Sequence, residues 1–521
     1  MSVYILMASQ LLRALVYADQ VHREQVATKS MLAPHRMAEE LRLLLDECKW
    51  AEFETAEASA WEAVDRLQPE DAGLAAVQLS LVRCEYGMLR QDPAVAREGV
   101  ELVRSNGANL PPSDAREFEL RALAIAAMTP SEDKADEACL TFAEQVLDPG
   151  NRAHDSRTAG LLVIAAAHVA LVRRALGQHD AADLAARRAI ELSERPDLLE
   201  APAHACRAAF DAAKHRITEL DVDLAAEWFD RAEQVVAASD HPICRLQHAE
   251  ILLARELFLP GDPLLDRPAR RRRNELVLKR LNGFRTPQAR LFEARACANL
   301  GRMCREEGRH ADAVGHLVDG LARLTAPSDH AAMRVRIELL VECGHARAAA
   351  QDPLALQDLE HAFEEASTAV DPGARAHIVL AVSELGSMLS ALGMHARLAD
   401  LLQRAREVVA SLPAEKAPVA TAELEMLTAD AEYSGGRGAD ARRRLATLLE
   451  SLESQPVEGT AKIRFFVTTR LAFDAFTMRE FARAVELFER ALATLRTLPD
   501  RLEAQCSEVE WALATSKLQL G

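Results

Sequence analysis

Between Asn299 and Pro327 the chain reads NLGRMCREEGRHADAVGHLVDGLARLTAP, and its apolar positions fall on a helical period. Ala313, Leu317, Gly320 and Leu321 recur at i, i+4, i+7 and i+8, which makes one stripe along a helix that starts near His310. Upstream, Leu300, Gly301 and Cys304 sit within one turn of each other on a preceding helix. Gly308 separates the two, because glycine accepts the left-handed conformation that a helix end often needs. Pro327 stops the pair. The pattern therefore predicts two helices joined by a tight turn.

A helix pair of this kind cannot bury both faces alone, so copies are expected. Candidate inter-helix turns recur near Cys48, Gln91, Asp133, Gly177, Leu220, Gly261, Gly308, Gln351, Gly393, Gly436 and Arg479, at steps of 41 to 47 residues. A second punctuation runs out of phase with the first. Pro69, Pro111, Pro149, Pro196, Pro242, Pro287, Pro327, Pro372, Pro413, Pro456 and Pro499 each close a unit. Two independent series with one period establish an internal repeat of about 43 residues.

The unit resembles the tetratricopeptide repeat (TPR), L-G-x2-Y then A-x3-F then P. Leu300-Gly301 and Ala313 hold their slots, while Cys304 and Leu317 replace the tyrosine and phenylalanine. ALGQHDAADLAARRAIEL, with Ala182, Ala186 and Ala189, is a second match. Ala225, Leu398, Ala441 and Ala484 carry the spacing into other copies. The period is longer than the common 34 residues and is similar to that of kinesin light chains and of the sensor arms of maltose-activator-type STAND ATPases. The resemblance implies an all-α fold, a right-handed TPR superhelix of about eleven repeats with a groove lined by first helices. It also implies binding of a protein, peptide or small effector, and no chemistry. The expected layout is an N-terminal capping or docking helix (1–33), the solenoid (34–499) with an irregular sixth repeat (about 243–287), and a C-terminal capping helix (500–521).

Composition changes this picture little. Aromatic residues are 4% of the chain, too few for one large core but suited to thin alanine-rich layers between helices. The net charge of −18 argues against general nucleic-acid affinity. Nine cysteines are scattered without a CxxC pair, as in a cytoplasmic protein with reduced, buried thiols. No run reaches the roughly 18 apolar residues of a membrane span. The apolar N-terminus, MSVYILMASQLLRALVYADQ, lacks the basic start of a secretory signal and reads as one helix over 3–27.

The expected second helix of repeat six departs from the pattern. After Pro268 come Arg270, Arg271, Arg272 and Arg273, then Lys279 and Arg280. These six are the candidate partner-binding residues, as a docking site for an acidic partner. The competing readings are a solvated helix face and pairing with acidic neighbours inside the chain. Nucleic acid is disfavoured, because no aromatics interleave the arginines.

Signatures of chemistry are missing. There is no GxxxxGK[ST] loop, and GGRGAD at 435–440 is a glycine cluster at an inter-helix turn. HExxH and GxSxG are absent too. His345 beside Cys343, and Asp221 beside Asp223, read as solvated turn residues and caps. Trp50, Trp61, Trp228 and Trp511 read as core. The sequence thus points to a non-enzymatic scaffold or adaptor with no cofactor or metal. The alternative is a sensor module of a larger signalling system, whose groove binds a peptide or small effector. The last segment, with Leu502, Cys506, Val509 and Leu513 as its stripe, reads as a first helix without its second. A cap there should present a polar outer face.

Overall fold

A computed structural model describes residues 33–46, 49–67, 69–90, 92–129, 137–148, 155–195, 197–259, 266–325, 330–454, 460–496 and 503–520. The expected N-terminal helix over 3–27 lies outside them. Among the described residues every regular element is a helix. In chain order these are α1 (Ala33–Asp46), α2 (Trp50–Val64), α3 (Pro69–Arg90), α4 (Pro93–Gly107), α5 (Pro112–Ala127), α6 (Glu137–Leu147), α7 (Ser156–Ala175), α8 (His179–Ser193), α9 (Ala201–Thr218), α10 (Val222–Ala237) and α11 (Pro242–Phe258). Then follow α12 (Arg267–Leu281), α13 (Pro287–Glu306), α14 (His310–Arg323), α15 (His330–Ala349), α16 (Ala355–Thr368), α17 (Pro372–Ala376), α18 (Ile378–Ala391), α19 (His395–Ala410), α20 (Ala417–Ser434), α21 (Gly438–Ser454), α22 (Ala461–Thr477), α23 (Phe481–Leu495) and α24 (Glu503–Leu520).

The chain forms two compact units, Met1–Asp266 and Arg267–Gly521. In the first, α1, α3, α5, α7, α9 and α11 are first helices (A), and α2, α4, α6, α8 and α10 are their partners (B). In the second, α13, α15, α17 with α18, α20 and α22 are A helices, and α14, α16, α19, α21 and α23 are B helices. Each B helix packs on its own A helix and on the next one. Each unit is thus an α–α solenoid.

The turns follow the sequence closely. Gly177, Leu220, Gly308, Gln351, Gly393, Gly436 and Arg479 all have positive φ, from 58° to 77°. At each, the N–H of the following residue reaches back five residues to a helix carbonyl: Gln178 to Arg173 at 2.9 Å, Arg309 to Cys304 at 2.8 Å, Glu480 to Ala475 at 2.8 Å. This is the Schellman closure, which satisfies the last carbonyls of an A helix. The same bond, from Lys49 to Leu44 and from Asp92 to Gly87, brackets Cys48 and Gln91. Those two residues, with Asp133 and Gly261, lie outside the described residues. Most described prolines of the series act at helix starts instead: Pro69, Pro242, Pro287 and Pro372 are first residues of A helices and Pro111 is the N-cap of α5, where a missing N–H costs nothing; Pro413 stands in the turn before α20.

Packing explains the small residues. Seven positions before each turn stands Ala170, Ala213, Gly301, Gly344, Gly386, Ala429 or Ala472, all buried. Five positions after it, Ala182, Ala225, Ala313, Ala441 and Ala484 are fully buried. These residues let the two helices of a pair approach closely. Larger side chains such as Phe53, Trp228, Phe229, Phe363, Phe465 and Phe488 fill the layers between them.

Two expectations need correction. Helix α7 is long and apolar enough, by length and composition, to cross a membrane, although no such run was expected. It is mostly buried in the first unit, where packing on both sides selects alanine and valine. Trp511 is not core: it is 64% exposed, on the outer side of α24 with Leu518. Trp228 is fully buried, and Trp50 and Trp61 are half-buried.

Candidate interaction surface

Successive A helices pack with their backbones close throughout each unit, whereas B helices other than α8 and α10 meet mainly through side-chain ion pairs such as Arg404–Glu364. Closer spacing on one side bends a stack toward that side. The A row is therefore the inner face of each unit.

Polar side chains on this face are cross-linked one repeat apart. In the first unit Arg42 of α1 donates to Glu85 of α3 at 2.8 Å, 43 residues away. Arg207 of α9 donates to Glu250 of α11 at 3.3 Å, again 43 residues away. In the second, Arg302 and Arg305 of α13 both reach Glu342 of α15 at 3.3 Å. His345 of α15 pairs with Glu384 of α18, and the Tyr433 hydroxyl of α20 donates to Asp474 of α22. The hydrogen bond to Glu384 raises the His345 pKa above its ordinary value against the pull of burial. His345 is thus an inter-repeat link, not a solvated turn residue. Asp221 does cap, accepting from the Leu224 amide at the start of α10.

Helices α20 and α22 of the second unit carry charged pairs across the A row. Burial raises the Asp430 carboxyl, with Arg470 opposing, even though 51% of that side chain is open to solvent. Burial likewise raises Glu423, with Lys462 opposing. Half-buried Met426, Phe466 and Phe473 lie on the same helices and pack against the core of this unit, Phe473 edge-on to Phe488 of α23.

The arginine tract is placed differently from a free docking patch. Arg271 of α12 donates to both carboxylate oxygens of Glu307, at 2.8 and 3.0 Å, and touches the Cys304 sulfur. Upstream, Arg267 pairs with Glu306 at 3.2 Å. Asn274, buried between the helices, accepts from Asn299 of α13 at 3.1 Å and donates to the Arg270 carbonyl. Arg270, Arg273 and Arg280 are half-buried and engaged within the chain. Only Arg272 and Lys279 of the six candidates are exposed. The tract is thus split between fastening α12 to α13 and facing solvent. The cross-links missed by sequence reasoning had a signal: Arg and Glu separated by about one repeat on A helices.

Cys84, Cys206, Cys244, Cys297, Cys304 and Cys343 are buried and form no disulfide. Burial pushes Cys297 up to about 11 and Cys343 up to about 12. Such thiols stay protonated and unreactive near neutral pH. Among the described residues no group of three or more His, Cys, Asp or Glu side chains could hold a metal ion.

No protein-family model matches the chain, and no curated protein matches it. Several solved structures are similar. Apo RapI aligns at 15% identity over 73% of this chain and 99% of its own, with a TM-score of 0.38. The STAND protein with a tetratricopeptide repeat sensor from Pyrococcus horikoshii aligns at 12% identity over 82% of this chain and 69% of its own, with a TM-score of 0.40. The APC/C hetero-tetramer Cut9–Hcn1 gives 14% identity, 92% and 96% coverage, and a TM-score of 0.29. The helix pairs described above share one geometry along each unit: Schellman turns, small residues at the A–B crossing, and A helices packed in a row.

Proposed function

We propose that the chain is a non-enzymatic scaffold that binds a partner protein or peptide along the A row of its second unit. The observation that supports this most is the row of directly packed A helices, on which Asp430 of α20 and Arg470 of α22 stand about half open to solvent, 3.6 Å apart. Exposed charges of both signs suit a partner of complementary charge. The buried thiols weigh against cysteine chemistry, and they suit a reducing compartment such as the cytoplasm.

The test is capture from the native host followed by mass spectrometry, using the wild type, Glu423→Lys with Asp430→Lys, and Glu450→Lys on the B helix α21. A partner retained by the Glu450 variant and lost by the groove variant supports the reading. A partner that survives the groove variant unchanged overturns it.

A further inference from the structure

At the edge of the first unit, α7, α8 and α9 bring five basic side chains together. Arg174, at the end of α7, donates through Nη2 to Asp183 Oδ1 of α8 at 2.9 Å. Arg216 of α9 donates through Nη2 to the other oxygen of Asp183 at 2.5 Å, and through Nη1 to Glu219 at 2.7 Å. The rings of His179 and His215 stack with centroids 3.8 Å apart. Arg173, only 9% exposed, reaches the Ala181 carbonyl in the first turn of α8 at 3.5 Å.

These residues hold more donors than acceptors. Nε and Nη1 of Arg174, Nε of Arg173 and of Arg216, Nδ1 of His179 and Nε2 of His215 are all buried without a hydrogen-bond partner. His215 Nε2 is 3.2 Å from Glu219 but not in bonding geometry. His179 is also the first residue of α8, and Gln178 before it supplies no side-chain cap, so the first amides of that 15-residue helix lack one too. The four guanidinium nitrogens can only donate, and a buried donor without an acceptor is costly, so together they call for an acceptor-only ligand. A helix N-terminus favours the same charge sign.

We propose that Arg173, Arg174, Arg216, His179 and His215, with the start of α8, form a binding site for a phosphate monoester. Three guanidinium charges against Asp183 and Glu219 leave one positive charge. Protonating His215 would raise this to two, which a dianion with three acceptor oxygens neutralises. Empty, the site disfavours that protonation: burial, then His179, Arg174 and Arg216, hold His215 below its ordinary value against Glu219. The groups facing the ring pair are thus Arg174 from α7, Asp183 from α8, and Arg216 and Glu219 from α9. Binding should draw in a proton. This site is separate from the groove of the second unit and does not rest on its assignment.

The test is calorimetric titration of the full chain with sulfate, inorganic phosphate and a phosphoserine peptide. Sulfate remains a dianion from pH 6 to pH 8, so its pH dependence reports on the protein alone. The expected result is sulfate affinity at least about tenfold higher at pH 6 than at pH 8, as one linked proton allows up to tenfold per pH unit. His179→Gln with His215→Gln leaves the Asp183 pairs in place and should abolish that dependence and weaken binding by about tenfold or more. Circular dichroism checks that the variant is folded. Tighter binding of the peptide than of inorganic phosphate assigns the source to a phosphorylated protein, and equal binding assigns a small phosphate ester. Binding unaffected by the double substitution, or no binding of any of the three probes at about 10 mM and pH 6, overturns the proposal.

Discussion

Gly301 and Leu317 occupy each other's space: a Cβ built on Gly301 of α13 would lie 2.6 Å from Leu317 Cγ on α14. Gly344 stands in the same relation to Leu359, also at 2.6 Å. In the α3–α4 pair the volumes are exchanged. The A helix carries Cys84 and the B helix carries Gly99, where a Cβ would meet the Cys84 amide at 2.7 Å. In these three contacts a glycine on one helix faces a larger side chain on the other.

Gly301→Ala should therefore destabilise the protein despite the better helix propensity of alanine, which is worth about 1 kcal/mol. Overpacking costs about 1–3 kcal/mol, and Leu317 is fully buried with little room to yield. Leu317→Ala should cost about 2–5 kcal/mol alone, but less in the Gly301→Ala background, with a coupling of at least about 0.5 kcal/mol in a double-mutant cycle. Strict additivity in denaturant titrations would contradict the contact. Hydrogen exchange should show the damage in α13 to α15 and little elsewhere, since each repeat packs only on its neighbours.

Three of the left-handed turns are made without glycine, by Leu220, Gln351 and Arg479. A β-carbon in that conformation costs about 1–2 kcal/mol. Leu220 is 86% exposed, so its side chain returns little packing. Leu220→Gly should stabilise the fold by up to about 1 kcal/mol, the strain relieved less the extra freedom of the unfolded glycine. Gly308→Ala should do the reverse. Thermal melts that rank Leu220→Gly below the wild type would contradict the turn assignment.

These turns also mark what was legible in the sequence. Leu220, Gln351 and Arg479 were found by spacing alone, because the period is set by helix length and survives the loss of any one residue type. The alanines at the A–B crossings were legible for the same reason: only a small side chain fits there. The arginine tract was not. Whether Arg271 faces water or Glu307 depends on where α12 lies on α13, and the local sequence of α12 carries no record of Glu307. The Asp183 cluster was missed because its members sit on three helices, and none is unusual in its own segment. Trp511 was assigned to the core by residue type, although its position on α24 puts it on the open side.

Arg271 and Arg272 are adjacent but should behave differently. Arg271→Ala removes a half-buried pair and should cost about 0.5–1 kcal/mol, measured as a loss of protection at the α12–α13 contact. Arg272→Ala should leave stability unchanged. If an acidic partner docks on α12, Arg272→Glu with Lys279→Glu should weaken it and Arg271→Ala should matter less. Its binding to the wild type should also fall as salt rises, since exposed charges are screened over about 8–10 Å. Equal stability losses from Arg271→Ala and Arg272→Ala would contradict the division of the tract.

The His345–Glu384 link predicts a pH dependence with a definite sign. The hydrogen bond to Glu384 holds the imidazolium form, and the Glu384 and Glu342 charges assist against burial and Arg305. The folded pKa therefore lies above the unfolded value of about 6.5. A group raised in this way binds its proton more tightly when folded, so its stabilisation is fully present below about pH 6.5 and is lost as pH rises through the folded value. His345→Gln keeps a neutral side chain of similar reach and cannot carry the charge. The difference in melting temperature between wild type and His345→Gln should be largest near pH 6 and shrink toward pH 8. Hydrogen exchange should place the change in α15 and α18, the two helices the pair joins. A difference that grew with pH instead would mean that His345 is neutral in the folded chain and that burial, not Glu384, sets its charge.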